Sequence, residues 1–400
     1  MNAVPSKANH TAKWHLIVLV SLMSMVGPFS IDTYLPAFES MEADLGVNRI
    51  LMTKTLGAYL MAFGASTLVW GAITDWIGRK PVMIISLGSY FISSAACALA
   101  SDFDHLLWLR VFQGLGVGGA LIAGRAMVRD VLDTKDAQKA MAYVMMLFSA
   151  APALAPVIGG WLHDFFGWRS IFWFLAIYGI VVMAYAVIVA RESLPQENRS
   201  SIRIQEVSRV YLKTLQSPRY LRLVFILAFA FASFFVFIAG APTLLFDVLG
   251  LEASSFYILF VPMVSGIMLG AVVSNRLIHY LTSRQILTIF ITLMLAISAF
   301  NWSLNYFAEI SIVRVIGPLA LYSFGLAVIM PVLTIEIINC FPKNRGSATA
   351  MQSFIQMVFN GITASFIVAS LGTVLSNFII TQIVLILAAM ALWLYELRFR

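Results

Sequence analysis

Long apolar runs, each closed by a short polar segment, dominate the pattern along this chain. A helix rises about 1.5 Å per residue, so a run of about 20 residues crosses roughly 30 Å of hydrocarbon. Twelve such runs are predicted, at about 14–36, 52–74, 82–100, 103–125, 138–162, 166–190, 220–246, 254–277, 284–304, 311–337, 346–370 and 373–397. The longest polar stretch, 191–219, is rich in Arg, Ser, Glu and Gln and leaves six runs on either side. It predicts an N-terminal six-helix bundle over 1–190, a cytoplasmic linker over 191–219 and a C-terminal six-helix bundle over 220–400. Within the linker, 202–215 reads as a short amphipathic helix lying on the membrane surface.

Composition supports a bilayer protein. With 60% hydrophobic and 11% charged residues in 400, the chain has too little polar surface to cover a soluble sphere. The first run follows Lys7 and Lys13 like a signal peptide, but it is too long for an h-region and lacks a small-x-small cleavage site, so it reads as a retained helix. The net charge of +7 raises the question of nucleic acid, and its distribution answers it. If both termini are cytoplasmic, 21 of the 26 bases fall on that side and only Arg49, Lys54, Arg110, Arg169 and Arg314 fall elsewhere. That asymmetry is the positive-inside rule, so the basic surplus reports orientation and implies no nucleic-acid partner. Cys97 and Cys340 lie in distant runs and suggest neither a disulfide nor a metal site.

The halves echo one another at offsets near 200 residues, as Gly71-Ala-Ile-Thr-Asp-Trp does in Gly270-Ala-Val-Val-Ser-Asn. A parallel repeat of six-helix units is the layout of a transporter with its site at the midplane between halves. Asp75 sits at the C-terminal end of run 2, where the helix dipole disfavours a carboxylate. Arg79 is a candidate partner four residues on, Gly78 permits a sharp turn, and Pro81 suits the first turn of the next helix. Gly57, Gly64 and Gly71 recur every seven residues on one face and predict a close helix crossing. Packing seam and topological anchor would account for the turn without any gate.

Two further charges lie inside runs. Asp32 falls in Pro28-Phe-Ser-Ile-Asp-Thr-Tyr-Leu-Pro36 and Arg110 in Leu107-Trp-Leu-Arg-Val-Phe-Gln-Gly114, both in the outer half of the membrane. Charges at such depth are costly and mark functional sites by default. One reading has Asp32 merely pair with Arg110 or cap a break near Pro28, and Arg110 merely glue helices together. The other makes Asp32 the group that exchanges a proton with the outside and with substrate, with Arg110 tuning it. The glycines of Gly114-Leu-Gly-Val-Gly-Gly119 satisfy G-x-G-x-x-G, but a dinucleotide site needs a preceding strand, and here they read as small residues at a helix crossing.

The segment Gly71-x-x-x-Asp75-x-x-Gly78-Arg79-Lys80 resembles the helix 2–3 signature of the major facilitator superfamily, and the resemblance extends over all twelve runs and the linker. It implies an all-α membrane protein with two six-helix bundles around a central cavity, multi-pass in a bacterial inner membrane. It also implies a latch in which Asp75 and Arg79 engage the start of helix 11 near Gly346-Ser-Ala348. Arg110-Val-Phe-Gln-Gly114 resembles the helix 4 motif tied to proton coupling, and Asp-x-Tyr-Leu-Pro resembles the Bcr/CflA subgroup of drug:proton antiporters. Pro152-Ala-Leu-Ala-Pro-Val-Ile-Gly-Gly160 is similar to the antiporter motif of helix 5, with Ala155 in place of its leading Gly. Pro156, Gly159 and Gly160 would then bend helix 5 at the outer gate, where packing alone is the other account.

The resemblance implies export of small amphipathic drugs against protons, with the proton gradient as energy source and no cofactor; nothing in the sequence demands more than a monomer. Helix membership and the midplane rule nominate a lining of Tyr34, Tyr59, Gln113, Met145 and Met146 from the first half. From the second half they nominate Phe231, Phe234, Phe235, Tyr257, Gln352 and Gln356. Aromatic and methionine side chains adapt to unlike apolar ligands. A facilitator importing a metabolite by symport or uniport is the nearest alternative, and a non-transporting receptor or scaffold the next. An enzyme is not indicated, since no nucleophile–base pair, metal-ligand spacing or nucleotide motif stands out.

Overall fold

The computed structural model describes residues 10–199 and 204–398. Among these residues the apolar runs fold as twelve helical spans long enough to cross a membrane. In chain order the helices are α1 (His10–Asp32), α2 (Phe38–Leu45), α3 (Arg49–Ile77), α4 (Arg79–Ala98), α5 (Phe103–Val131), α6 (Thr134–Phe166) and α7 (Arg169–Val189). After the polar stretch come α8 (Ile204–Leu215), α9 (Pro218–Ala239), α10 (Tyr257–Leu277), α11 (Ser283–Phe307), α12 (Ile312–Asn339), α13 (Arg345–Ile362) and α14 (Leu375–Arg398). We call the face where α1 begins and α14 ends the near face, and the opposite one the far face.

Local chemistry sets the ends. Asn48, Asp102 and Asp133 accept hydrogen bonds from the backbone amides of Leu51, His105 and Asp136, satisfying first-turn donors of α3, α5 and α6. Thr282 and Gln285 close a reciprocal capping box on α11. α1 stops at Asp32, four residues short of the end of its apolar run. Pro36 explains this, because it has no N–H to give the Asp32 carbonyl and its ring crowds that oxygen. The chain instead makes a short 3-10 turn over Leu35–Ala37 before α2. α6, by contrast, stays helical from Thr134 to Phe166 through both Pro152 and Pro156.

Within the first half α5 packs on α3 and α4, while α1 lies against α5, α6 and α7. Within the second half α12 packs on α10 and α11, and α14 on α9 and α11. The halves meet along two seams, α3 against α13 and α6 against α10. These seams are equivalent under a shift of six spans, as the internal repeat requires. α8 packs on α9 and α13, and Tyr211 Oη donates to the Leu68 carbonyl of α3 at 2.9 Å. The helix expected on the membrane surface therefore lies across the near ends of both halves.

Glycine allows the α3–α13 seam to close. A Cβ at Gly361 would stand 2.8 Å from the Gly57 carbonyl oxygen, and one at Gly64 would stand 3.0 Å from Met357 Cβ. Gly71, third in the heptad series, has no described neighbour within 4 Å of such a Cβ, so the close approach ends before the near face. Gly361→Leu must push α13 off α3, an overpacking cost of about 1–3 kcal/mol. The expected result is a melting temperature in detergent several degrees lower, by roughly the shift that cost produces, and a wild-type melting curve would contradict the packing described.

Candidate functional site at the α1 break and the two faces

α5 enters from the far face at Phe103, which puts Arg110 about 10 Å along the helix. Its side chain is fully buried. The guanidinium lies 4.4 Å from the ring centroid of Tyr34, 4.3 Å from that of Tyr59 and 6.0 Å from that of Phe172. It donates to the Ser30 carbonyl at 2.9 Å and to Gln113 Oε1, whose amide nitrogen donates in turn to Ser94 Oγ at 2.7 Å. Ser30 Oγ pairs with Tyr90 Oη at 2.7 Å. Arg110 is thus held by π faces and neutral acceptors.

Asp32 is also buried, at 4% exposure, on the last residue of α1. Among the described residues it makes no ion pair, with Arg110 or any other base, and its Oδ1 has no hydrogen-bond partner. The Tyr59 hydroxyl is likewise without a partner among them. Pairing of the two charges as structural glue is therefore corrected: the α1 break holds the carboxyl apart while the Ser30 carbonyl and the aromatic rings take the guanidinium.

The nominated lining residues lie on α3, α5, α6, α9, α10 and α13 and in the turn after α1. Tyr34, Tyr59 and Gln113 are fully buried around Arg110, and the cation attracts the aromatic faces that were expected to meet substrate. Phe231, Phe234 and Phe235 cluster on α9 with ring centroids 5.9 and 6.3 Å apart. Gln352 and Gln356 are buried on α13, where Gln352 Oε1 has no described partner and its amide nitrogen reaches Thr334 Oγ1 at 3.4 Å. Met145 and Met146 are exposed on α6, and Tyr257 is exposed on the first turn of α10 at the far face, away from the midplane.

At the near face Arg79 is ion-paired with Asp75 and Asp130, the latter at 3.0 Å, and donates to the Thr74 carbonyl at 2.8 Å. Glu192 caps α4, its two oxygens accepting from the amides of Arg79 at 3.0 Å and Lys80 at 3.1 Å. Gly78 adopts φ +107°, a left-handed value that favours glycine, and a side chain there would collide with Glu192. Sequence reasoning misses Asp130 and Glu192, although an acid just past the end of each of two spans is a usable signal. The expected seat of Asp75 on the start of α13 is not made. Its partner is Arg79, and it is half exposed. At the start of α13, a Cβ added to Gly346 would meet no described atom within 4 Å, and the Ala348 carbonyl accepts from Tyr220 Oη at 2.6 Å.

At the far face the halves are closed. Arg49 of α3 is ion-paired with Glu42 and reaches Asp247 of the other half at 3.1 Å and Thr243 at 3.4 Å. A Cβ at Gly160 would stand 2.8 Å from the Ala253 carbonyl, and one at Gly159 would collide with the Thr33 carbonyl beside Asp32. Pro156 lies in the same stretch of α6, buried. From sequence, Arg49 is no more than an outlying base.

The family model of the Major Facilitator Superfamily matches residues 20–364. Among similar proteins, the bicyclomycin resistance protein homologue of Haemophilus influenzae is 26% identical over 68% of this chain and 69% of its own length. Multidrug resistance protein D of Escherichia coli (strain K12) is 24% identical over 88% of each. A solved bacterial homologue of the human lysosomal transporter Spinster, in an inward-facing and unoccupied conformation, superposes with a TM-score of 0.74 at 15% identity over 97% of each chain. A D-xylose–proton symporter superposes at 0.70 with 14% identity, over 95% of this chain and 97% of that one.

A partly exposed bridge of the Arg49–Asp247 kind is worth up to about 1 kcal/mol, a shift of roughly fivefold in an open–closed equilibrium. Arg49→Ala and Asp247→Ala should each speed labelling of Ala253→Cys by a thiol reagent applied to the far side, in a background lacking Cys97 and Cys340. The double variant should add nothing further. Unaltered labelling rates would remove this pair from the closure.

Proposed function

Because this chain belongs to the Major Facilitator Superfamily, we propose that it is a proton-coupled antiporter that exports small amphipathic drugs by alternating access. The family is one of transporters rather than enzymes. The observation that carries the coupling is Asp32: a buried carboxyl at a helix break, with no ion pair and an oxygen without a partner among the described residues. Its ionised form is costly to desolvate, so the site favours either a proton on the carboxyl or a hydrogen-bond donor of the substrate that satisfies it. Arg110 holds the walls of the pocket through Tyr34, Tyr59 and Gln113. Mutual exclusion of proton and drug at one carboxyl is the coupling.

In this reading residues 1–190 and 220–400 rock against each other about the α3–α13 and α6–α10 seams, joined by 191–219. Both termini lie in the cytoplasm of a bacterium and the chain spans its inner membrane, for which the distribution of basic residues is the support. The far-face closure by Arg49, Asp247, Pro156, Gly159 and Gly160 makes the present state inward-facing. Asp75, Arg79, Gly71 and Gly78 form the latch of the opposite state, released here because Asp75 is drawn to Arg79. Phe231, Phe234, Phe235, Gln352 and Gln356 supply the second half's share of the drug surface, with Met145, Met146 and Tyr257 on its approaches. Relatives named for bicyclomycin and multidrug resistance support amphipathic drugs as the substrates.

Asp32→Asn in everted vesicles should abolish proton-driven drug uptake, by at least about tenfold, while drug still binds. Fully coupled uptake by that variant would take Asp32 out of the mechanism. In a pump-deficient host the chain should protect against chloramphenicol-like and bicyclomycin-like compounds; protection restricted to lipophilic cations would contradict the proposed substrate class.

A further inference from the structure

Arg125 lies on α5 about 9 Å short of its near-face end at Val131. A guanidinium at that depth is costly unless it is partnered. Elsewhere in this half the demand is met: Arg49, Arg79, Arg169 and Arg199 meet carboxylates, and Arg110 takes aromatic rings and a carbonyl. Arg125 makes no ion pair and no hydrogen bond among the described residues. The charge that acts on it there is Arg129, one turn on, a like charge that is exposed and has no carboxylate partner of its own among them. The acids that follow in the chain are committed elsewhere. Asp130 pairs with Arg79 and accepts from Ser193, Asp133 caps α6, and Asp136 pairs with Lys13.

The side chain is open at its tip. Its Nε is sealed within the protein, but the residue is only partly buried, and Nη1 and Nη2 keep access from outside while donating to nothing among the described residues. Two coplanar N–H donors free at the end of a guanidinium match the paired oxygens of a carboxylate or a phosphate, and a second guanidinium at i+4 stands on the same helix face to share that charge. One turn toward the midplane, Leu121 and Ile122 lie on the same side of α5 and are partly exposed. The face therefore runs from apolar, at depth, to doubly cationic, toward the near end.

We propose that Arg125 and Arg129 form a binding site for the anionic head of an amphiphile, with Leu121 and Ile122 against its apolar body. The head is a carboxylate or phosphate, carried by a solute from the near side or by an anionic lipid. The site lies about 22 Å along α5 from Arg110. It does not depend on Asp32, so its failure would leave the proposed coupling untouched.

The test uses the intact protein in uncharged detergent with three probes that share one apolar body: 1-pyrenebutyrate, 1-pyrenebutyramide and 1-pyrenebutylamine. Binding is read by pyrene anisotropy against empty micelles. The acid should bind about tenfold more tightly than the amide, the ratio a charge-assisted hydrogen bond supports, and the amine most weakly. Arg125→Gln should bring the acid down to the level of the amide, and Arg125→Lys should keep part of the preference. Arg129→Gln, at an exposed position that folding tolerates, should weaken the acid severalfold and carries the test if Arg125→Gln fails to fold. Nanodiscs separate the two sources of the anion. Loss of acid binding in phosphatidylglycerol but not in phosphatidylcholine identifies a lipid headgroup as the occupant, and equal binding in both identifies a solute. Equal affinity of the wild-type protein for the acid and the amide would overturn the proposal, as would an acid preference unchanged in Arg125→Gln or in Arg129→Gln.

Discussion

A guanidinium held inside hydrocarbon must be satisfied by the protein itself, and the first half of this chain is organised around that requirement. Arg110 takes three aromatic faces, a main-chain carbonyl from α1 and an amide from its own helix. Those partners come from α1, α3, α5, α7 and the turn after α1, so one buried charge ties four helices together. Because the Ser30 carbonyl and the rings satisfy it, Asp32 is not consumed as its counter-ion. The carboxyl stays available two residues beyond Ser30, at the point where Pro36 ends the helix.

The two faces satisfy their arginines by the same means with different results. At the far face Arg49 bridges between halves, to Glu42 on its own side and Asp247 on the other. At the near face Arg79 is saturated from within the first half by Asp75, Asp130 and the Thr74 carbonyl, and Glu192 occupies the first amides of α4. An ion pair that crosses between halves holds them together, while one that stays inside a half does not. Arg49 therefore ties the halves at the far face, whereas toward the near face it is the Thr67 hydroxyl, donating to the Ala350 carbonyl at 3.4 Å, that crosses between them.

The second half repeats the architecture but not the chemistry. Its buried polar groups within the spans are amides and hydroxyls, among them Gln352, Gln356, Asn360 and Gln382, rather than charges at depth. Two of its acids, Glu336 and Glu396, meet Arg219 and Arg222 at the near face, while Asp247 pairs with Arg49 at the far face. At depth, then, the buried charges belong to the first half and the second contributes neutral polar groups.

The sequence by itself determined the twelve spans, the polar divide and the identity of the costly charges, because hydrophobic length and intramembrane charge are local properties that no tertiary contact can conceal. It also predicted the seam at Gly57 and Gly64, since small residues at heptad spacing on a helix leave a groove whatever fills it. It could not decide partners. That Tyr34 and Tyr59 cage Arg110, that Asp32 stands apart from it, that Glu192 reaches back to α4 and that Arg49 crosses to Asp247 all depend on residues far apart in the chain meeting in space. Only packing sets those distances, and in a bilayer the distance between two charges decides whether they form a lock or leave a site open.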